Sequence, residues 1–185
     1  MPHINPHLCT LTVPNIVKNI IPPRTCIEAV AVFVGPIHGA VTFHQCIIPR
    51  DPKGCKVCIR LSGMKPGATH AIHIHEYGDE REGCLSLGGH WNPEGTTHGS
   101  FCLGMVSHAG DMVNNITADS HGKVEICYTD QRITLQGDIS ESIIGRSVVI
   151  HDGIDDLGLG ENEESLKTGN AGHRLACAII GHSKL

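Results

Sequence analysis

The chain has 185 residues, enough for one domain with a buried core, and 40% of them are hydrophobic. A formal net charge of −5 argues against nucleic acid as a partner. No apolar run approaches the roughly 18 residues that a membrane span requires.

Residues 1–25 have no basic start, and their apolar piece is broken by Asn15, Lys18 and Asn19 before Pro22 and Pro23. They read as a disordered extension, not an export signal or a mitochondrial presequence, ahead of a domain at 26–185 in a cytoplasmic protein. Short β-rich runs then recur between Gly, Pro, Asn and Asp turns, at 27–34, 39–45, 56–61, 69–77, 115–118, 123–129, 132–136, 147–151 and 176–181. Pro36 with His38-Gly39 makes a hairpin of the first two, and Ser120-His121-Gly122 opens a later one. No segment carries helical periodicity. The expected fold is all-β, a Greek-key β-barrel or sandwich of about eight antiparallel strands. Two irregular stretches interrupt it: 78–113, rich in Gly and His, and 152–173, with Asp155, Asp156, Glu161, Glu163, Glu164 and Lys167. Loops of that length inside one domain are usually functional.

The nine cysteines of an intracellular protein are expected to stay mostly reduced. Cys55 and Cys58 lie three apart on a predicted strand, so they face opposite ways and make a poor metal or redox pair.

Among 14 histidines, His73, His75, His90, His98, His108 and His151 stand out, together with Asp111. If Ile72 and Ile74 face the core, His73 and His75 share the outer face. The same parity places Val148 and Ile150 inside and His151 outside. Three imidazoles gathered there suit copper or zinc. His90, His98, His108 and Asp111 offer three nitrogens and one oxygen, the donor set of a four-coordinate zinc ion. His3, His7, His38, His44, His70, His121, His173 and His182 read as surface or hydrogen-bonded residues. Pro2 lacks the amide proton that an amino-terminal copper chelate through His3 would give up.

The segments Ala-Ile-His73-Ile-His75-Glu-Tyr-Gly-Asp, Cys84 followed by Gly-Gly-His90-Trp-Asn-Pro, His98-Gly, His108-Ala-Gly-Asp111 and Gly169-Asn-Ala-Gly-His-Arg174-Leu-Ala-Cys177 resemble copper/zinc superoxide dismutase, in that family's order over roughly 27–181. The resemblance implies dismutation of superoxide to dioxygen and hydrogen peroxide, with copper alternating between Cu(II) and Cu(I) and zinc structural. It implies copper on His73, His75, His90 and His151, zinc on His90, His98, His108 and Asp111, and His90 as the bridging imidazolate. Asp155 matches the carboxylate that links His73 to His98 and orients both rings. Cys84 and Cys177 match a disulfide whose loop of roughly 90 residues is worth about 4–5 kcal/mol in the chain-entropy model.

By the same resemblance Arg174 attracts the anionic substrate, a known case of electrostatic steering in this family. Thr168 and Arg174 narrow the channel, Lys167 guides, and Glu163 and Glu164 shape the field. Ile144-Gly145 and Ile179-Ile180-Gly181 match an apolar homodimer contact. Leu175 stands where chaperone-dependent members often carry Pro, which implies copper loading that does not wholly require a copper chaperone.

Two departures from the family's pattern imply a looser zinc loop: the His98–His108 spacing is one residue longer than usual, and Asp111-Met-Val-Asn-Asn-Ile adds a residue to the usual Asp-Leu-Gly-Asn. The complete ligand set argues against a non-catalytic copper-chaperone domain and against a copper-only dismutase. Asn115-Ile-Thr117 is a glycosylation sequon with meaning only after export.

Overall fold

Apolar residues at every second position build strands with one face to the core. Ala29, Ala31 and Phe33 do so on β1 (Thr25–Phe33), and Val41 and Phe43 on β2 (His38–Ile47). The computed structural model describes residues 25–47 and 54–184. Of the expected disordered extension, residues 1–24 lie outside the described residues, and Thr25 already belongs to β1. The other strands are β3 (Cys55–Ser62), β4 (Thr69–His75), β5 (Arg81–Cys84), β6 (Asn115–Thr117), β7 (Val124–Asp130), β8 (Ser147–His151) and β9 (Arg174–His182).

All but β5 join one antiparallel sheet in the order β6-β4-β8-β9-β1-β2-β3-β7, curled into a nearly closed barrel. The chain passes from β3 to β4 and from β6 to β7 without pairing either couple, which gives the Greek-key path. Ile59, Ile72, Ile74, Ile116, Ile150 and Ile180 are fully buried in the barrel. Among the described residues no helix is long and apolar enough to cross a membrane.

Three local expectations change. The stretch at 132–136 is not a ladder strand: Ile133 and Leu135 do point inward, but the Leu135 amide and the Thr134 hydroxyl donate to the Gln45 side-chain oxygen instead. The first irregular stretch contains β5, and the second contains a single helical turn, α1 (Ser165–Thr168). The reduced-thiol expectation also fails, because Cys26–Cys46, Cys58–Cys127 and Cys84–Cys177 are disulfides. The first two join directly opposed residues on adjacent strands, a closeness that spacing along the chain does not reveal. Cys55 and Cys102 are free.

β4 and β8 position the site. They pair in the register Ile72↔Ile150, His73↔Val149, Ile74↔Val148 and His75↔Ser147. Every residue from Ala71 to His75 and from Ser147 to His151 is buried. The isoleucines and Val148 face the core, whereas the histidines are covered from the other side by the two long loops.

Candidate metal centre

Each histidine of the cluster except His90 is held by one ring nitrogen, and the other nitrogen is left facing its neighbours. His75 Nδ1 donates to the Gly88 carbonyl at 3.0 Å and His151 Nδ1 to the Gly172 carbonyl at 3.2 Å. With those protons placed, the two Nε2 atoms that face each other at 3.2 Å both present lone pairs. His73 Nε2 donates to Asp155 Oδ2 at 2.7 Å, so its buried Nδ1 has no partner, and neither has His90 Nε2. His73, His75, His90 and His151 each offer a ligand atom, all within 4.8 Å of one another.

A second cluster obeys the same rule. His98 Nε2 donates to Asp155 Oδ1 at 2.8 Å and His108 Nε2 to the Thr96 carbonyl at 3.1 Å. Their Nδ1 atoms therefore turn toward Asp111 Oδ1, at 2.9 and 3.0 Å, and His90 Nδ1 joins them at 2.9 Å. Lone pairs crowded at such distances repel unless a cation lies among them, a proton or a metal ion. His90 faces both clusters, one through each nitrogen, and among the described residues no other group holds its ring.

Burial pushes the His73 and His75 pKa well below the usual imidazole value, and neighbouring His90 adds to the effect. Burial also pushes His151 down to about 4, against a smaller opposing pull from the Gly172 carbonyl. These rings are neutral ligands at pH 7. In the second cluster burial opposes ionisation of Asp111, but hydrogen bonds from His108, His90 and His98 outweigh it and hold the carboxyl far below its usual range. Burial likewise opposes Asp155, and His73 and His98 overcome it. Burial would lower His98 too, yet Asp111 and Asp155 together push it up to about 9.

A cleft opens above the first cluster, lined by His75, His90 and His151 and by Glu164, Thr168 and Arg174. A β-bulge aims the arginine: Ile150 pairs with Ala176 but His151 with Arg174, so Leu175 is the extra residue. The guanidinium donates to the carbonyls of Cys84, Leu85 and Gly88, and among the described residues no carboxylate pairs with it. The Cys84–Cys177 disulfide ties the loop that supplies those carbonyls to β9. Thr168 Oγ1 donates to Glu164 Oε1 at 2.9 Å in the same cleft. Lys167 and Glu163 pair with each other at 3.5 Å and line a separate hollow beside His90 and His108.

The family model for copper/zinc superoxide dismutase matches residues 37–180. The chain belongs to that family. The superoxide dismutase [Cu-Zn] of Neurospora crassa is 46% identical over 160 residues, covering 85% of this chain and 99% of its own length. The extracellular superoxide dismutase [Cu-Zn] of Drosophila melanogaster is 44% identical over 162 residues, 84% of this chain and 85% of the relative. A crystal structure of the clock protein EA4 superposes with a TM-score of 0.75 at 39% identity, over 85% of this chain and 95% of that one. The donor types fit the two metals of the family name: four imidazoles suit copper, and three imidazoles with one carboxylate suit zinc.

Two residues that sequence reasoning passed over hold the second cluster together. Asn114 takes a left-handed conformation (φ 59°), and its amide nitrogen donates to the Gly99 carbonyl at 2.9 Å and to Asp155 Oδ2 at 3.0 Å. Arg132, stacked 4.0 Å over the Phe101 ring, donates to Ser107 Oγ and to the carbonyls of His108 and Met112. The additional residue after Asp111 is thus absorbed by two left-handed positions, Met112 and Asn114, in a pinned loop. Asn tolerates that conformation better than most residues, which was the one signal available in advance. Gly110 carries no side chain because a Cβ there would strike the Ile74 carbonyl and the Trp91 amide where the loop crosses β4. Asn115 exchanges two hydrogen bonds with the Asp155 backbone, both 2.9 Å, so the amide of the sequon is already engaged.

The raised His98 pKa has a direct consequence for metal uptake. At pH 7 the free ring is protonated and must lose that proton before Nδ1 can bind a metal. Zinc affinity of the second cluster should therefore rise by about tenfold per pH unit up to about pH 9, with proton release visible by calorimetry in buffers of different ionisation heat. Asp155→Asn removes one of the two carboxylates that raise His98, so the rise should end at lower pH. It should also weaken metal binding about 10- to 100-fold, because His73 and His98 lose their orienting partner.

Proposed function

We propose that the chain is a superoxide dismutase, an oxidoreductase that converts two superoxide anions and two protons to dioxygen and hydrogen peroxide. The observation that carries this reading is the pair of inward-facing donor clusters that share His90 beneath the Arg174 cleft. His73, His75, His90 and His151 would hold copper, and His90, His98, His108 and Asp111 would hold zinc. Copper supplies the one-electron redox step, and zinc, without redox chemistry, serves as a structural ion.

The remaining work belongs to the protein. Arg174, unpaired with any carboxylate among the described residues, presents its positive charge at the cleft and attracts an anion despite the net charge of −5, the local focusing for which superoxide dismutases are a known case. Thr168 beside it limits the opening to small species. His90 lines the cleft, and its Nε2 has no hydrogen-bond partner among the described residues, so it is the atom placed to hold a proton and pass it to the reduced product. Asp155 keeps the clusters in register by holding His73 with one oxygen and His98 with the other.

A homodimer is part of the proposal. Tyr77, Ile139 and Ile179 are exposed near Ile144 and Gly145, around a groove also lined by Trp91 and Arg146. Ile180 faces the core, so Ile179 is the member of that pair available to a partner. The exposed free thiol of Cys102 suits a cytoplasmic location, to be checked by fractionation of the native source. Leu175, where chaperone-dependent members often carry Pro, supports copper loading that does not wholly require a copper chaperone, which expression in a chaperone-deficient host would test.

Protein loaded with both metals should remove superoxide rapidly; a loaded but inactive protein would favour a non-catalytic copper-binding role. Arg174→Ala should slow turnover about tenfold and flatten its dependence on ionic strength, read by pulse radiolysis over a salt series. An unchanged salt profile would remove Arg174 from steering. Ile179→Asp should shift the sedimentation coefficient from dimer to monomer, and an unshifted dimer would place the contact elsewhere.

A further inference from the structure

A third group of metal-ligating side chains lies outside the buried centre, on the outer face of the β1–β2 ladder. Cys26 pairs with Cys46 and Glu28 with His44 in the strand register. The core-facing residues of these strands are Ala29, Ala31, Val41 and Phe43, so the alternate positions 26, 28, 44 and 46 form a square patch on the outside. The patch is accessible: Cys26, His44 and Cys46 are half-buried, and the side chains of His44 and Glu28 keep 44% and 37% of their exposure.

The arrangement resembles a metal site more than a plain cross-strand disulfide. His44 Nδ1 lies 3.1 Å from Glu28 Oε1, and an anionic carboxylate takes the ring proton on that side. The lone pair of Nε2 is then left facing Cys46 Sγ at 3.1 Å. A disulfide sulfur has no hydrogen to donate, so in the oxidised form Cys46 gives that lone pair no proton and leaves it to solvent on this open face. One ligand atom from each of Cys26, His44 and Cys46 lies within 4.8 Å of the others. Tetrahedral zinc with thiolate bonds of about 2.3 Å needs its sulfurs about 3.8 Å apart, a separation these strands allow once the bond between them opens.

We propose that Cys26, Cys46 and His44 form a thiol-gated zinc site, with Glu28 as the positioning residue and solvent in the fourth place. A reductant of the small-thiol class supplies two electrons and two protons: its own pair of thiols becomes a disulfide, and the Cys26–Cys46 bond becomes two thiols. Zn(II) then binds the two sulfurs and displaces their two protons, with His44 Nε2 as the third ligand. In the reverse exchange a small-molecule disulfide takes up the two electrons and two protons to become two thiols, the Cys26–Cys46 bond re-forms, and Zn(II) is released. The dismutase thus carries a surface site whose zinc occupancy follows the thiol poise of its surroundings, separate from the buried clusters.

The test uses full-length protein with both buried clusters loaded. One half is reduced with a phosphine under anaerobic conditions, both halves receive excess Zn(II), and retained zinc is measured after desalting. The reduced half should keep one more zinc per subunit. Cys26→Ser/Cys46→Ser should abolish the difference, and comparison with that variant cancels any exchange at the buried clusters. His44→Ala and Glu28→Gln should weaken the additional zinc by about 10- to 100-fold in chelator competition. Co(II) in place of zinc should give sulfur-to-cobalt absorption. Equal zinc in the two redox forms overturns the proposal, as does an additional zinc that persists in Cys26→Ser/Cys46→Ser.

Discussion

The metal centre depends on where the outward-facing ring protons go. His75, His151 and His108 each donate one to a backbone carbonyl, and His73 and His98 donate to the two oxygens of Asp155. Each donation fixes a tautomer and turns the opposite lone pair inward. Burial keeps the first cluster neutral, so its rings stand as ready ligands and not as a group of repelling cations. His90 alone has no such anchor: the Trp91 amide to the Ile74 carbonyl fixes its backbone at 2.8 Å, and both ring nitrogens serve the clusters.

This constraint explains why the loops are long yet ordered. A strand face that carries histidines is not apolar, and it can be buried only if the covering segments supply carbonyls and carboxylates at the right points. The first loop supplies Gly88 and Thr96, and the second supplies Asp155 and Gly172. Arg132 pins the zinc end of the first loop from below, and Gly169 at the end of α1 leaves room for Asp155 and His98, which a Cβ there would strike.

Much of this was legible in the sequence because strand periodicity is a strict rule. Alternation placed His73, His75 and His151 on one face, and the ladder register bears that parity out. Turn residues located the β1–β2 hairpin, whereas the later hairpin expected at Ser120-His121-Gly122 does not form, because β6 pairs with β4 and β7 with β3; the two irregular stretches became the covering loops. The missed features are those set by contacts between distant segments. Arg132 and Asn114 act through carbonyls 15 to 24 positions away, and the Leu175 bulge that aims Arg174 leaves no mark in composition. The pairing of Cys26 with Cys46 and of Cys58 with Cys127 depends on register alone, so counting cysteines pointed the wrong way.

His90 belongs to both clusters at once, with one nitrogen in each. Electron paramagnetic resonance of protein carrying Cu(II) in the first cluster and Co(II) in the second tests it directly, since a shared imidazole couples the two spins. The Cu(II) signal seen with zinc in the second cluster should be lost when Co(II) replaces the zinc. An unchanged Cu(II) signal beside fully bound Co(II) would contradict it.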